Sequence, residues 1–317
     1  MLIEIIIALL IGILFGVFTG LFPGIHINLV GVFLIALSST IFLDINPILL
    51  SVFVVSMAIT HTFVDFIPSI FLGCPNTDTE LSVLPGHELL KEGEGYQAVL
   101  LCAYGGLVAV LLLILIAFPF LAIFSKIYEL ITQFMAIILI VVLGLLILLE
   151  NKRKEALFII LITGALGFCV LNLEKINQPL LPLLTGLFGA SMMIASIKTK
   201  TIIPKQNISN PKINFFKPIL ASLIASPLCG FLPGLGSGQA AIIGQTITKS
   251  DKKGFLVLLG MTNTLVMGIS FLALSAIFCE NFSIANLLFG KASPTPSSTL
   301  LKNLLLELLE KGQHSPL

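Results

Sequence analysis

The sequence predicts an all-α polytopic membrane protein built from inverted-topology internal repeats, each a Pro-Gly-broken helical hairpin followed by a broken helix. Three observations carry that expectation. Hydrophobic residues make up 57% of the chain and charged residues 10%, against about 25% charged in soluble domains, and the mean hydropathy is +1.10. Several uncharged stretches are long enough to cross a hydrocarbon core of about 30 Å. Finally, Gly20-Leu-Phe-Pro-Gly24 is echoed by Gly230-Phe-Leu-Pro-Gly234, and Gly12, Gly16, Gly20 and Gly24 correspond to Ser222, Ser226, Gly230 and Gly234 at one constant offset. A ladder of small residues that ends twice in the same Pro-Gly marks a duplication.

A net charge of +1 gives no electrostatic basis for binding nucleic acid, so charge matters here only by where it sits. The five cysteines form no Cys-x-x-Cys pair, which indicates neither a disulfide framework nor a thiolate metal site. No metal or organic cofactor is expected. Met1-Leu-Ile-Glu-Ile lacks a basic leader and reads as the start of a first membrane segment rather than a signal peptide.

Residues 5–43 are apolar and uncharged apart from His26. Pro23-Gly24 divides them into two arms, hairpin 1. Residues 45–72 follow as an apolar segment interrupted by His61, Asp65 and Pro68, hence a broken or kinked helix. An acidic loop, 73–97, precedes four charge-free spans, Ala98–Phe124, Leu130–Leu149, Ala156–Leu173 and Ile176–Ile197. Hairpin 2 covers Pro218–Thr248, whose arms of about 15 residues reach only roughly 22 Å. Such arms fit a re-entrant pair meeting at mid-membrane. Gly254–Cys279 is again uncharged, and a Ser/Pro-rich loop leads to Leu300–Leu309, an interfacial amphipathic helix. The whole chain is expected to be one integral domain of the cell membrane: repeat one about 1–125, linking helices about 126–210, and repeat two about 211–317, incomplete.

An odd number of crossings between the hairpins makes the repeats face opposite ways. Basic loops at 152–154, 198–217 and 249–253 then fall on one side, the cytoplasmic side by the positive-inside rule. The same count puts the acidic loop there too, which the rule tolerates because acids contribute little to it.

A second echo, Thr60-His61-Thr62 against Thr262-Asn263-Thr264, places two polar turns where each broken helix passes its hairpin. They either line a central site or back-bond to their own helices. Each Pro-Gly break starts a helix whose first N–H groups are unpaired and whose dipole favours an anion. The substrate-binding set is therefore Pro23, Gly24, His26 and Asn28 in hairpin 1, with Pro233, Gly234, Gly236, Ser237, Gly238 and Gln239 in hairpin 2, joined by Thr262, Asn263 and Thr264. The small-residue ladders are assigned to helix packing. On that assignment Gly12→Ala leaves ligand binding measurable, whereas Leu at Gly24 or Gly236 abolishes it. His61 and Asp65 are four apart and share a helix face. A carboxylate at mid-depth costs about 2.5–3.5 kcal/mol, so Asp65 either lies near an interface by virtue of Pro68 or is a proton or cation site, and it is assigned, with Thr60, His61 and Thr62, to coupling of Na⁺ or H⁺. The repeat places Met267 opposite Asp65, which makes that role asymmetric. No catalytic signature is present: there is no His-Glu-x-x-His, and Ser237 lacks the Gly two places upstream that a nucleophile elbow needs.

These residues resemble the large membrane subunit of the tripartite tricarboxylate transporters, the TctA family. The resemblance rests on the Pro-Gly loop near the N-terminus, on its repeat at Pro233-Gly-Leu-Gly236, and on Ile67-Pro-Ser-Ile-Phe-Leu-Gly-Cys-Pro-Asn76 through Leu84-Pro-Gly86 to Lys91-Glu-Gly-Glu-Gly95. It implies an ion-coupled permease for small carboxylates, a small organic anion being the ligand, with a small membrane subunit and an extracytoplasmic binding protein as partners. The chain departs from the family pattern at Ile25-His26-Ile27-Asn28, where a Gly-rich continuation is expected, and in being shorter than typical members. Two other readings stay open: a translocator of polyprenyl phosphate or a similar lipid phosphate, and a membrane scaffold whose acidic loop docks a partner.

Overall fold

The computed structural model describes residues 1–22, 46–73, 78–150, 152–172, 203–211, 214–232 and 235–278, with isolated positions at 30, 183, 186 and 194. Among the described residues, the regular elements are helical. In chain order they are α1 (Leu2–Leu21), α2 (Pro47–Val64), α3 (Phe66–Leu72), a 3-10 turn (Glu80–Ser82), α4 (Val83–Lys91), α5 (Gly95–Gln133), α6 (Met135–Leu149), α7 (Arg153–Leu171), α8 (Phe216–Phe231), α9 (Ser237–Thr248) and α10 (Lys252–Phe278). The chain forms two compact units, residues 1–128 together with 202–317, and residues 129–201. Leu2–Leu21, Ile48–Leu72, Gly95–Phe124, Arg153–Leu171 and Lys252–Ser275 are each long and apolar enough to cross a membrane. The expected segments Ile176–Ile197 and Leu300–Leu309 and the Ser/Pro-rich loop lie outside the described residues, isolated positions aside.

Local chemistry explains the main boundaries. Asn46 caps α2, its Oδ1 accepting the Ile48 N–H at 3.0 Å, with Pro47 at the first helical position. The break expected in 45–72 falls at Asp65, between α2 and α3. Pro68 supplies no N–H for the Val64 carbonyl, and its ring crowds that carbonyl, so the helix yields just upstream of the proline. The boundary expected between Phe124 and Leu130 is absent, since α5 runs unbroken for 39 residues and the turn comes at Phe134. Charges at 126 and 129 end the apolar run, but neither is a helix stop such as Gly. Consequently α6 is only 15 residues long. In hairpin 2, α8 has 16 residues and α9 has 12, as short as its sequence predicts.

Within the first unit, α10 is the element the others pack around, with 67% of its apolar window buried. Leu256, Val257, Leu258, Met261, Leu265 and Ile269 are wholly enclosed. Small residues let backbones approach it closely: Gly260 lies against the Cys102 carbonyl, Gly105 against that of Val257, and Gly268 against Leu113. From the Cys102–Gly260 contact to the Leu113–Gly268 contact both numbers rise, so α5 and α10 run parallel. The same holds for α1 on α2, where Gly12, Gly16 and Gly20 meet Ser56, Thr60 and Val64 in turn. It holds again for α8 on α10: the Ser222 hydroxyl reaches Met261 Sδ at 3.6 Å and Gly230 abuts Val266 and Ile269. By contrast α2 crosses α10 antiparallel, since Thr62 meets Thr264 while the earlier Met57 packs with the later Met267 and Phe271.

Packing of the ladder is confirmed more severely than the sequence implied. A Cβ on Gly12 would run into the Ser56 side chain and come within 2.6 Å of the Phe53 carbonyl oxygen. A Cβ on Gly236, in contrast, meets nothing closer than 3.4 Å.

The hub position of α10 generates a stability test. A methyl group on Gly260 overlaps the Cys102 carbonyl, and overpacking of this kind costs about 1–3 kcal/mol. Gly260→Ala is expected to lower the unfolding temperature in detergent by several degrees, whereas Gly164→Ala, with nothing within 4 Å of its new carbon, leaves it unchanged. Equal melting curves for the two variants would remove α10 from the centre of the packing.

Candidate functional site

At the crossing of α2 and α10 the two Thr-x-Thr turns meet. Thr62 Oγ1 lies 3.0 Å from Thr264 Oγ1 and also donates to the Ile59 carbonyl at 2.8 Å. A hydroxyl carries a single proton, so Thr264 donates across the helices and Thr62 receives. Asn263 Nδ2 donates to Asp65 Oδ2 at 3.0 Å and to the Thr62 carbonyl at 3.4 Å. His61, Thr62, Asp65, Asn263 and Thr264 are all buried. Uncharged polar partners from the other helix thus surround the acid of the span.

His61 connects this cluster to α1. Its Nδ1 lies 3.0 Å from Thr19 Oγ1, whose own proton goes to the Gly16 carbonyl at 3.2 Å. The imidazole is therefore the donor, through Nδ1–H. Its Nε2 then faces Asp65 Oδ2 at 3.9 Å, a separation that becomes an ion pair when the ring takes up a second proton. Of the expected coupling residues, Thr60 stands apart, lying against Gly16. Thr262 is buried, its hydroxyl back-bonding to the Leu259 carbonyl at 3.1 Å.

At hairpin 2 the start of α9 is extended at Gly236, with φ −121° and ψ −170°. Gln239 folds back so that its Oε1 accepts the Gly236 N–H at 2.9 Å, which closes one of the unpaired N–H groups of the helix start. Ser237 donates to Asp78, at 3.0 Å to Oδ1 and 3.3 Å to the carbonyl. Ser237 and Gly238 are buried. Both side chains assigned to anion binding are therefore engaged inside the protein. Pro23, Gly24, His26, Asn28, Pro233 and Gly234 lie outside the described residues.

Five polar residues at this centre were not singled out from the sequence. Asp78 was read only as one acid of a loop, and Thr19 as part of an apolar run. Ser69 donates to the Asp65 carbonyl at 2.7 Å and meets Thr79 Oγ1 at 2.5 Å, while Ser82 donates to the Thr79 carbonyl at 2.6 Å. Ser69, Thr79 and Ser82 are fully buried. A dense run of short hydroxyl side chains straight after a broken helix was the available signal. The acidic stretch is folded onto the body rather than projecting from it: Glu88 pairs with Lys252, Glu94 with Lys253 at 2.8 Å, and Gly95 N–H donates to Gln206 Oε1 at 2.7 Å. Acidic and basic loops therefore share one end of the unit, as the crossing count requires.

Comparison with known proteins follows this geometry. An uncharacterized protein of Methanocaldococcus jannaschii is 33% identical over 213 residues, 65% of this chain and 53% of that protein. The chain thus spans about half the length of this curated relative. No solved structure matches. The family described as "Tripartite tricarboxylate transporter TctA family" matches residues 6–297, and its members are components of membrane transporters, not enzymes. Since that match runs through both hairpins, the α2–α10 crossing and the folded acidic loop, the chain belongs to the tripartite tricarboxylate transporter TctA family.

Proposed function

We propose that the chain is the permease unit of a secondary transporter for small carboxylates, coupled to Na⁺ or H⁺, with substrate held between the two Pro-Gly loops. The observation that carries this reading is the α2–α10 crossing, where Asp65 of one repeat is held by Asn263 of the other and Thr62 meets Thr264. A carboxylate, hydroxyls and carbonyls gathered at a helix break form a donor set suited to a small cation or a proton. Parallel packing of α1 on α2 and of α8 on α10, with α2 antiparallel to α10, supports inverted repeats. Rocking one repeat against the other at the crossing would expose the site to alternate sides.

A small membrane subunit and an extracytoplasmic binding protein are proposed as partners, on the strength of the family. The folded state of the acidic loop weighs against a scaffold that docks a partner through it, because Thr79, Ser82, Leu89 and Leu90 are buried.

Two expectations follow. Asp65→Asn keeps size and the Asn263 contact but cannot ionise. It is expected to fold, insert and bind, and to eliminate the stimulation of carboxylate uptake by imposed Na⁺ or H⁺ gradients in proteoliposomes. Unaltered gradient dependence in this variant would make Asp65 structural and move the coupling site elsewhere. For topology, single cysteines at Asn46 and Asn210 are expected to react with an impermeant thiol reagent from opposite faces of sealed vesicles; reaction of both from one face rejects the inverted arrangement.

A further inference from the structure

We propose that the ion taken up at the α2–α10 crossing is a single proton, shared by His61 and Asp65, with Thr19 as the positioning residue that aims the ring. The inference deepens the reading of Asp65 as the coupling residue and rests on it. Thr19 gives its hydroxyl proton to the Gly16 carbonyl at 3.2 Å, so His61 Nδ1, 3.0 Å from that hydroxyl, is the donor. This fixes the neutral ring as the Nδ1–H tautomer and turns the lone pair of Nε2 toward Asp65 Oδ2 at 3.9 Å. Two acceptor atoms of a buried pair then face each other, an arrangement that one proton completes. Uptake of that proton forms one N–H or O–H bond, breaks none in the protein, and takes the pair from one negative charge to none. The proton belongs to the pair rather than to either residue.

A hard cation such as Na⁺ needs several oxygens with lone pairs turned toward it, and the oxygens of this crossing already accept protons. Asp65 Oδ2 receives Asn263 Nδ2 at 3.0 Å, and the Thr62 carbonyl receives the same nitrogen at 3.4 Å. Because both of those neighbours are acceptors, the amide presents its NH₂ group to them and not its oxygen. Thr62 Oγ1 takes the Thr264 proton, and the Asp65 carbonyl takes that of Ser69 at 2.7 Å. A metal ion beside Oδ2 would meet amide hydrogens and an imidazole nitrogen, whereas a proton there meets two acceptors. The pair is faced by Thr19 from α1, by Asn263 from α10 and, from α5, by Cys102, whose thiol feels the Asp65 charge. Glu4, Lys252 and Lys253 stand at the ends of α1 and α10.

Infrared difference spectra of the full chain in detergent test this without knowledge of the natural substrate. A step to acid pH at constant Na⁺ is compared with a step in Na⁺ at constant pH, in the native chain and in His61→Gln, Asp65→Asn, Thr19→Val and Thr19→Ser. The expected result is that acid produces imidazole-ring and carboxyl bands that His61→Gln and Asp65→Asn remove or shift, while the Na⁺ step leaves those bands unchanged. Loss of the Nδ1 acceptor in Thr19→Val is expected to move their midpoint by about half to one pH unit, the size of one hydrogen bond, and Thr19→Ser is expected to keep the native midpoint. The Thr19 variants leave both titratable groups in place, so the comparison survives loss of folding in either variant of the pair, and the amide bands of the same spectra report folding. A pH response identical in the native chain and both pair variants overturns the proposal, and a midpoint unmoved by Thr19→Val overturns the role of Thr19. A Na⁺ response carried by the Asp65 bands overturns the shared proton yet leaves a coupled carrier standing, with a metal ion in its place. Spectra as expected, together with uptake that ignores every imposed gradient, support the shared proton while sinking the transport reading.

Discussion

A polar group at membrane depth has no water to turn to, and the first unit of this protein is arranged around that constraint. Asp65 interrupts the α2–α3 helix, which exposes backbone carbonyls as well as a carboxylate. The solution is a crossing: α10 runs antiparallel to α2 and brings Asn263 and Thr264 to the break. Ser69 turns back to the Asp65 carbonyl from the next turn. Close approach is what makes these bonds reachable, and it depends on the glycines of α1, α5 and α10, where a single methyl would collide with a neighbouring backbone. Small-residue packing and polar satisfaction are thus one design, the first setting the separation at which the second operates.

Duplication accounts for the frame of this arrangement but not for its chemistry. Thr62 and Thr264 occupy matching positions and bond to each other across the crossing, as residues near a pseudo-two-fold axis must. His61 matches Asn263, and Asp65 matches Met267. If the two sides were identical, each His would face an Asp of the other repeat. Instead one repeat supplies both titratable groups, and the other supplies an amide that donates to the acid without a charge of its own. On the proposed reading, protonation or cation binding at this crossing acts on both halves at once.

Much of this was legible in the sequence because it was written in periodicities that membranes enforce. Uncharged length marked the spans, the second Pro-Gly marked the boundary between α8 and α9, and the Thr-x-Thr echo located the crossing. What escaped was of another kind. The end of α5 was misplaced because Lys126 and Glu129 interrupt hydropathy without interrupting a helix. Gly12 was legible as a packing residue, but sequence does not show how closely the facing carbonyl approaches. Asp78 was overlooked because its neighbours in the chain are other acids, whereas its partner Ser237 belongs to a distant hairpin. Net charge located the loop correctly, but only the fold reveals that Thr79 and Ser82 carry it into the interior.

The electrostatics of the substrate bring these pieces together. Each helix terminus offers an anion about 0.3–1 kcal/mol, and at most about 2, too little to offset the desolvation of a trianion at mid-depth. Among the described residues, no Lys or Arg lies inside the apolar run of α2, α3, α8 or α9; the lysines gather at one end, with Lys252 and Lys253 already paired to Glu88 and Glu94. Fixed positive charge is therefore not what would hold a carboxylate in this unit. On the proposed reading a cation or proton taken up with the substrate supplies it instead, with Asp65 as the acid proposed to receive it.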